Sequence, residues 1–357
     1  MSSSEHIDPE YRGASNALSS FRERVVEVCF TSLVTPFLEL CLQTGLPELL
    51  RRPRTIEALS GALGWRNELV LATVRTLSAA GLCEQSPEGV TLNAMGRELL
   101  LPGSLHSVRG IILMVADLDR RLLEHGRDTL AGRRGQALPA WGSPDAQSLV
   151  RLHTNAMREA TRREVLDEVA AELMSLPAFQ SAGRVLDLGG GGGYFAAAMV
   201  GVHPNVEVVL LDRAEVIEEA AAYLRSVANK SRVTLLPGDF RARIPFDDGT
   251  FDAVFASHSL ICEPDDWESI LAGVVRTIRH GGALVLRFFA EEAIPSLPFS
   301  TILGDWVNLV SYGYGQIISR TALTKAAMSL GLAPEPLRQV GGCDFFIATK
   351  VRDNLCD

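Results

Sequence analysis

The sequence is short of positive charge, of paired cysteines and of long uninterrupted apolar runs, and each shortage excludes a class of protein. Lysine and arginine together number 34 against 43 aspartates and glutamates, a net charge of −9. A nucleic-acid binder normally carries a basic stripe, so this balance counts against nucleic acid as a partner. The six cysteines, Cys29, Cys41, Cys83, Cys262, Cys343 and Cys356, form no CxxC and no Cys/His ligand spacing. They read as thiols in a reducing compartment, and no metal is expected. Met1 to His6 lack the basic start and apolar run of a secretory signal. The most apolar early stretch, Val25 to Leu42, is broken by Glu27, Pro36 and Glu39. The expectation is a cytoplasmic chain with no membrane span.

What remains is an ordinary globular composition, 47% hydrophobic and 22% charged, over 357 residues. That length suits two domains. Residues 1–15 read as a polar lead. From Leu18 to Leu50 aliphatic residues recur at helical spacing, and such apolar helices must bury their surface somewhere, a partner subunit being one answer. Thr55-Ile56-Glu57-Ala58-Leu59 reads as a capped helix start. A second helix runs from about Asn67 to Ala80 and stops at Gly81. Leu82-Cys83-Glu84 and Val90-Thr91-Leu92 then alternate around Pro87-Glu88-Gly89 as a short hairpin. Two helices and a hairpin make a winged-helix pattern.

A winged helix suggests DNA, but between Leu46 and Leu100 there are six arginines, no lysine and six glutamates. Phosphate contacts supply most non-specific affinity, and little is available to make them. A structural or dimerisation role is the better reading. Leu105 to Ala160 reads as mostly helical with a loop from Ala131 to Pro144. One helix containing His153 to Leu173 is expected to bridge the two parts, with the boundary near residues 150–180. Beyond it, Arg184–Leu188, Glu207–Leu211, Arg232–Leu236, Phe251–Ala256 and Ala283–Phe289 are strand candidates separated mostly by helical patterns. That alternation implies a mainly parallel sheet covered on both faces, an α/β fold.

The most informative stretch is Val185-Leu186-Asp187-Leu188 running into Gly189-Gly190-Gly191-Gly192-Gly193 and then Tyr194-Phe195. Without side chains, such a turn lets a ligand lie directly on the backbone. Glycine loops also serve dinucleotides and phosphates, so context decides. Asp212 ends the next strand about twenty residues on, where a carboxylate accepts both hydroxyls of a ribose. Gly238-Asp239-Phe240 ends the third strand, offering Asp239 to an adenine amino group and Phe240 to the ring face. No Walker-type lysine follows the loop, which disfavours a nucleotide triphosphate.

With these residues in view, the chain resembles the class I methyltransferases, and more narrowly the two-domain small-molecule O-methyltransferases of caffeic-acid and acetylserotonin type. The winged-helix module, His153 to Met157, the glycine loop, Asp212, Gly238-Asp239-Phe240 and the Gly281-Gly282-Ala283-Leu284 turn carry the resemblance. It implies a Rossmann-like domain with a mostly parallel seven-stranded sheet over 179–353. Ahead of it come a helical winged-helix dimerisation domain over 16–103 and a helical linker over 104–178 that contributes to the acceptor pocket. It implies S-adenosyl-L-methionine as cofactor, held by Asp187, Gly189, Gly191, Asp212, Asp239, Phe240 and Ser257. It also implies a homodimer formed through the N-terminal helices. The expected reaction is methyl transfer to a small metabolite, aromatic by expectation.

At the reacting end the chain departs from that family. The family's base is a histidine after the fourth strand; here Ile261-Cys262-Glu263 fills the slot. Ser319-Arg320-Thr321 stands where the family has Glu-Arg-Thr. Three explanations compete: His258 acts as base from a shifted position, Glu263 takes the role with a raised pKa, or the acceptor needs no base. The last leaves carbon, nitrogen or an already ionised oxygen as acceptor atom. A further alternative is a relative that uses the cofactor without methyl transfer, for rearrangement, decarboxylation or hydroxylation. His153, Asn155 and Met157 are candidate acceptor contacts on the bridging helix, and Trp306, Asn308 and Tyr312 on a later one.

Overall fold

In a computed structural model of the chain, residues 32–104, 106–132, 144–161, 163–241, 243–260, 267–312 and 317–351 are described. They fall into two compact units that divide between Ala116 and Asp117.

The first unit begins with helices α1 (Val34–Gln43) and α2 (Leu46–Leu49). Helices α3 (Ile56–Leu63) and α4 (Asn67–Ala79) follow. The Thr55 hydroxyl accepts from Ala58 N, so α3 is capped as its sequence predicts. Strands β1 (Cys83–Ser86) and β2 (Gly89–Leu92) pair antiparallel as the hairpin, and α5 (Ala94–Leu100) closes the module. Leu46, Leu50, Leu59, Val70, Leu77 and Leu92 form its core. Arg97 is occupied inside it: its guanidinium donates to Leu92 O at 3.0 Å, Arg51 O at 2.8 Å and Thr91 Oγ1 at 3.0 Å. Arg54 exchanges backbone hydrogen bonds with Val90, extending the hairpin by one bridge.

Helix α6 (Arg109–Leu130) leads from this unit into the second. There the expected single bridging helix is two, α7 (Pro144–Ala160) and α8 (Arg163–Ser175). An unbroken apolar periodicity did not reveal the interruption at Thr161. The compact units divide at Ala116–Asp117, ahead of the expected 150–180 region, and α8 packs on the sheet through Val169 and Leu173. The short α9 (Pro177–Gln180) brings the chain to the first strand.

The sheet-forming elements are β3 (Arg184–Leu188), α10 (Tyr194–Val202), β4 (Glu207–Asp212), α11 (Ala214–Leu224), β5 (Val233–Pro237) and β6 (Phe251–Ser257). They continue with α12 (Trp267–Thr277), β7 (Ile278–Ala290), α13 (Phe299–Tyr312), β8 (Ile317–Ile318) and α14 (Arg320–Ser329). The chain ends in β9 (Leu332–Pro334), β10 (Arg338–Val340) and β11 (Cys343–Lys350). The sheet path is β10-β11-β7-β6-β3-β4-β5, seven strands, with β8 on β7 and β9 on β11. Strands β3 to β7 run parallel and β9 to β11 add an antiparallel edge. The five strands expected from sequence are the parallel ones, each within two residues of expectation at its start except β7. That strand begins at Ile278 and passes through the glycine turn.

Both sheet faces are covered, as near-continuous apolar strands require. Leu186, Leu188, Val254 and Leu284 face one cluster, and Val185, Val208, Phe255 and Val285 the other. The outermost turns are tied by single polar groups. Lys350 Nζ donates to Val275 O and Ile278 O at 3.0 and 2.8 Å, satisfying carbonyls around the end of α12. Among the described residues no helix is long and apolar enough to cross a membrane.

Gly89 has φ +127°, and a Cβ there would overlap the Arg54 carbonyl. Gly89→Ala is therefore expected to cost about 2 kcal/mol or more, read as an earlier urea midpoint for the first unit. Unchanged unfolding would contradict the Arg54–Val90 bridge.

Candidate cofactor site and acceptor end

Parallel register brings three strand ends to one edge of the sheet. Asp187 pairs with Leu210 on β4 and with Phe255 on β6. The glycine loop, Asp212 and Ser257 therefore emerge side by side. The loop is held by its own backbone: Gly189 N donates to Leu211 O at 2.8 Å and Gly193 N to Gly190 O at 3.0 Å. Gly191 N donates to Asp212 Oδ2 at 2.9 Å, and Arg213 N to Asp212 Oδ1 at 2.7 Å.

The glycines differ in what they make room for. A Cβ on Gly189 would collide with Ser259 and lie 3.4 Å from the Phe240 ring, so these two side chains close over the loop. Ser259 Oγ also donates to Leu188 O at 2.5 Å. At Gly190 a Cβ would meet Asp187 Oδ2 at 2.6 Å. Gly191, with φ +55°, has nothing within 4 Å of that position. Its face is open, which is where a ligand can lie against backbone.

Two carboxylates bracket this loop with different partners. Asp212 accepts the two N–H bonds just described, and burial still raises its pKa. Asp187 is buried, and its Oδ2 has no hydrogen-bond partner among the described residues. Desolvation, then the Asp212 charge, push its pKa to about 7. Asp239 is exposed and forked by Arg241, with Nε on Oδ1 and Nη2 on Oδ2, both at 2.9 Å; this pairing lowers its pKa.

The residues weighed as bases fare differently. His258 has φ +55° and packs its ring 4.9 Å from Phe289, with Nε2 3.6 Å from Cys343 Sγ. Burial and then the Arg287 charge lower its pKa to about 3. A ring with so little proton affinity is a weak acceptor, so the expectation that His258 serves as base is not supported by its setting. Glu263 lies outside the described residues. Glu292, which follows β7, reaches the start of α14. It accepts from Arg320 N, Thr321 N and Thr321 Oγ1 at 2.9 Å, and from Ser319 Oγ at 3.2 Å. Desolvation opposes ionisation there, but the Thr321 and Arg320 N–H bonds outweigh it and hold the pKa near 2.

On α7, His153 and Asn155 are half-buried and Met157 is 43% exposed; the buried positions are Val150, Thr154 and Ala156. Burial lowers the His153 pKa to about 4, with Asp117 opposing and Arg121 and Arg213 reinforcing. Helix α7 meets α11 through the Arg151–Glu219 pair at 3.1 Å. On α13, Trp306 is 42% exposed and Asn308 half-buried, while the Tyr312 side chain lies outside the described residues. Ser259, Arg241 and Arg287 were not anticipated; only the Ser-His-Ser run after β6 hinted at the first.

Residues 143–317 match the O-methyltransferase domain family. This stretch is an O-methyltransferase domain, and the chain is an S-adenosylmethionine-dependent methyltransferase. The O-demethylpuromycin-O-methyltransferase of Streptomyces alboniger is 26% identical over 325 residues, covering 87% of this chain and 82% of that one. The aclacinomycin 10-hydroxylase RdmB of Streptomyces purpurascens is 29% identical over 211 residues, covering 58% and 54%. The fold matches that of human N-acetylserotonin methyltransferase in complex with its cofactor, with a TM-score of 0.73, 19% identity and coverage of 99% and 100%. This methyltransferase takes S-adenosyl-L-methionine as cofactor and acts on a small molecule. The residues present fit a cationic nucleoside: an open, side-chain-free backbone face at Gly191 and two carboxylates beside it.

The Asp187 shift has a sign that can be measured. A folded pKa near 7 against an ordinary 3.8 means the folded state holds a proton that the unfolded state has lost. Stability from this group is complete below about 3.8, falls as pH rises towards 7 and is flat above. Asp187→Asn should match the unmodified protein near pH 4 and melt a few degrees higher at pH 8, at about 2–4 °C per kcal/mol. Thermal melts without cofactor check this; a difference independent of pH would contradict a protonated Asp187.

Proposed function

We propose that the enzyme methylates an oxygen of a small aromatic acceptor, with the cofactor lying across the glycine loop. The observation carrying this reading is the bond from Gly191 N to Asp212 Oδ2 beside an open backbone face. In this reading Gly189 and Gly191 line the methionine part of the cofactor and Asp212 takes the ribose hydroxyls. Asp239, shared with Arg241, and Phe240 take the adenine. Asp187 lies beneath the loop, where a bound sulfonium would favour its ionised form over the protonated one, and Ser257 closes the methionine end. When bound, the cofactor supplies an electrophilic methyl group; the protein's own part is to align the acceptor and exclude water. Oxygen is favoured because the puromycin-type relative is named for that atom.

Acceptor contacts are assigned to His153, Asn155 and Met157 on α7 and to Trp306 and Tyr312 on α13. Neutral His153 suits a hydrogen bond to an acceptor rather than charge pairing. The chain is further assigned as a homodimer, supported by apolar residues left open on and beside α1: Leu33 and Leu40 are 60% and 58% exposed. The domain limits 16–103, 104–178 and 179–353 are kept as functional divisions, the middle one serving the acceptor.

A second reading is favoured by the weakly basic His258 and by similarity to a 10-hydroxylase. There the bound cofactor acts only through its charge and no methyl group moves.

Asp212→Ala should abolish calorimetric binding of S-adenosylmethionine, and unchanged affinity would remove the site assignment. Incubation of the unmodified protein with methyl-labelled cofactor and a panel of phenols should yield labelled ether and S-adenosylhomocysteine in equal amounts. Turnover of an acceptor without S-adenosylhomocysteine would favour the second reading. Light scattering should give twice the chain mass.

A further inference from the structure

Arg287 on β7 is a largely buried cation without a counter-ion among the described residues. Its Nη1 donates to Ser257 Oγ at 3.3 Å and its Nη2 to Gly341 O at 3.2 Å, both long for a guanidinium. Its Nε is buried and has no hydrogen-bond partner among the described residues. No ion pair to it occurs among those residues either. The groups facing it supply little compensation. Glu168 on α8 acts only from a distance, its Oε1 being bonded to Gly341 N at 2.9 Å. Burial raises the pKa of the Cys343 thiol, which stays neutral, and His258 is neutral as well. The Phe195 ring, in the first turn after the glycine loop, stands 5.9 Å from the guanidinium carbon.

A charge withdrawn from water without a partner is costly, and proteins keep one where something else completes it. Arg287 lies at the acceptor end of the sheet, paired with Ser257 at the tip of β6. Ser257 accepts from Arg287, which leaves its O–H for donation. We propose that Arg287 and the Ser257 hydroxyl receive the acceptor as its oxyanion, so that an acidic phenol or enol is methylated without a protein base. This rests on the oxygen-methylation reading above. The hydroxyl proton leaves to solvent as the acceptor binds. The oxyanion then attacks the methyl carbon, the new C–O bond forming as the C–S bond breaks and its electron pair passing to sulfur. The products are a neutral ether and a neutral thioether. A fixed cation within a few ångströms lowers a hydroxyl pKa by about one to three units, which matches acceptors that already ionise near neutrality.

The test uses 4-nitrophenol, whose ionised form is coloured, with the protein saturated in S-adenosylhomocysteine. In the unmodified protein and in Arg287→Lys the bound phenol should ionise at least about one unit below the free phenol. In Arg287→Met that shift should vanish, and phenolate should bind about tenfold more weakly. Equal titration in the unmodified protein and Arg287→Met, or no bound phenolate in the unmodified protein, overturns the proposal. A roughly tenfold loss of S-adenosylhomocysteine affinity in Arg287→Met, with the phenol shift intact, also overturns it. That result would assign the guanidinium to the cofactor's own carboxylate. Arg287→Met should melt at or above the unmodified protein, because it removes an unpaired buried charge. If it fails to fold, Arg287→Gln replaces it in the same comparison. A persistent Arg287-dependent shift with no labelled ether from any phenol would support the anion site while refuting oxygen methylation.

Discussion

Gly191 donates its backbone N–H to Asp212, and that bond ties the turn leaving β3 to the end of β4. The tie works only because parallel register sets the two strand ends level and because the turn carries no side chains between them. Room is then allotted residue by residue. Ser259 and Phe240 fill the space above Gly189, Asp187 fills it beneath Gly190, and the face of Gly191 is left clear. Within the loop the Gly191 face is open to a ligand, with Asp187 and Asp212 close by.

Among the described residues, the two titratable groups beside the candidate acceptor end are committed elsewhere. His258 is turned between Phe289 and Cys343, and Glu292 is engaged at the head of α14. Arg287 is the largely buried cation there; burial lowers its pKa, with Cys343 and then Glu168 opposing. Low polarity strengthens any charge that remains in such a place and discourages proton exchange. With the proposed anion site, such an enzyme would select acceptors by their own acidity more than by the basicity of its side chains.

Much of this was legible in the sequence. Apolar runs of strand length between helical patterns located the five parallel strands, and spacing alone connected the glycine loop to Asp212. Thr55 and Gly81 marked helix ends correctly because capping is a local matter. What escaped was long-range. The antiparallel edge is built by Cys343–Lys350, whose apolar run does not say which neighbour it joins. Arg287 does not stand out in the Ala283–Phe289 strand; its burial opposite Ser257 emerges only once β6 and β7 are paired. The break at Thr161 has no glycine or proline to announce it.

Glu292 bears on how such chains are compared. Column by column, Ser319 would count as the loss of an acid, yet a carboxylate is bonded to that same helix start from 27 residues upstream. The helix start thus has a carboxylate against it that its own first residues do not supply. Gripped by three donors from the helix's first residues, Glu292 is held near a pKa of 2 and stays ionised under ordinary conditions. A comparison made at position 319 alone would miss the carboxylate that the fold supplies there.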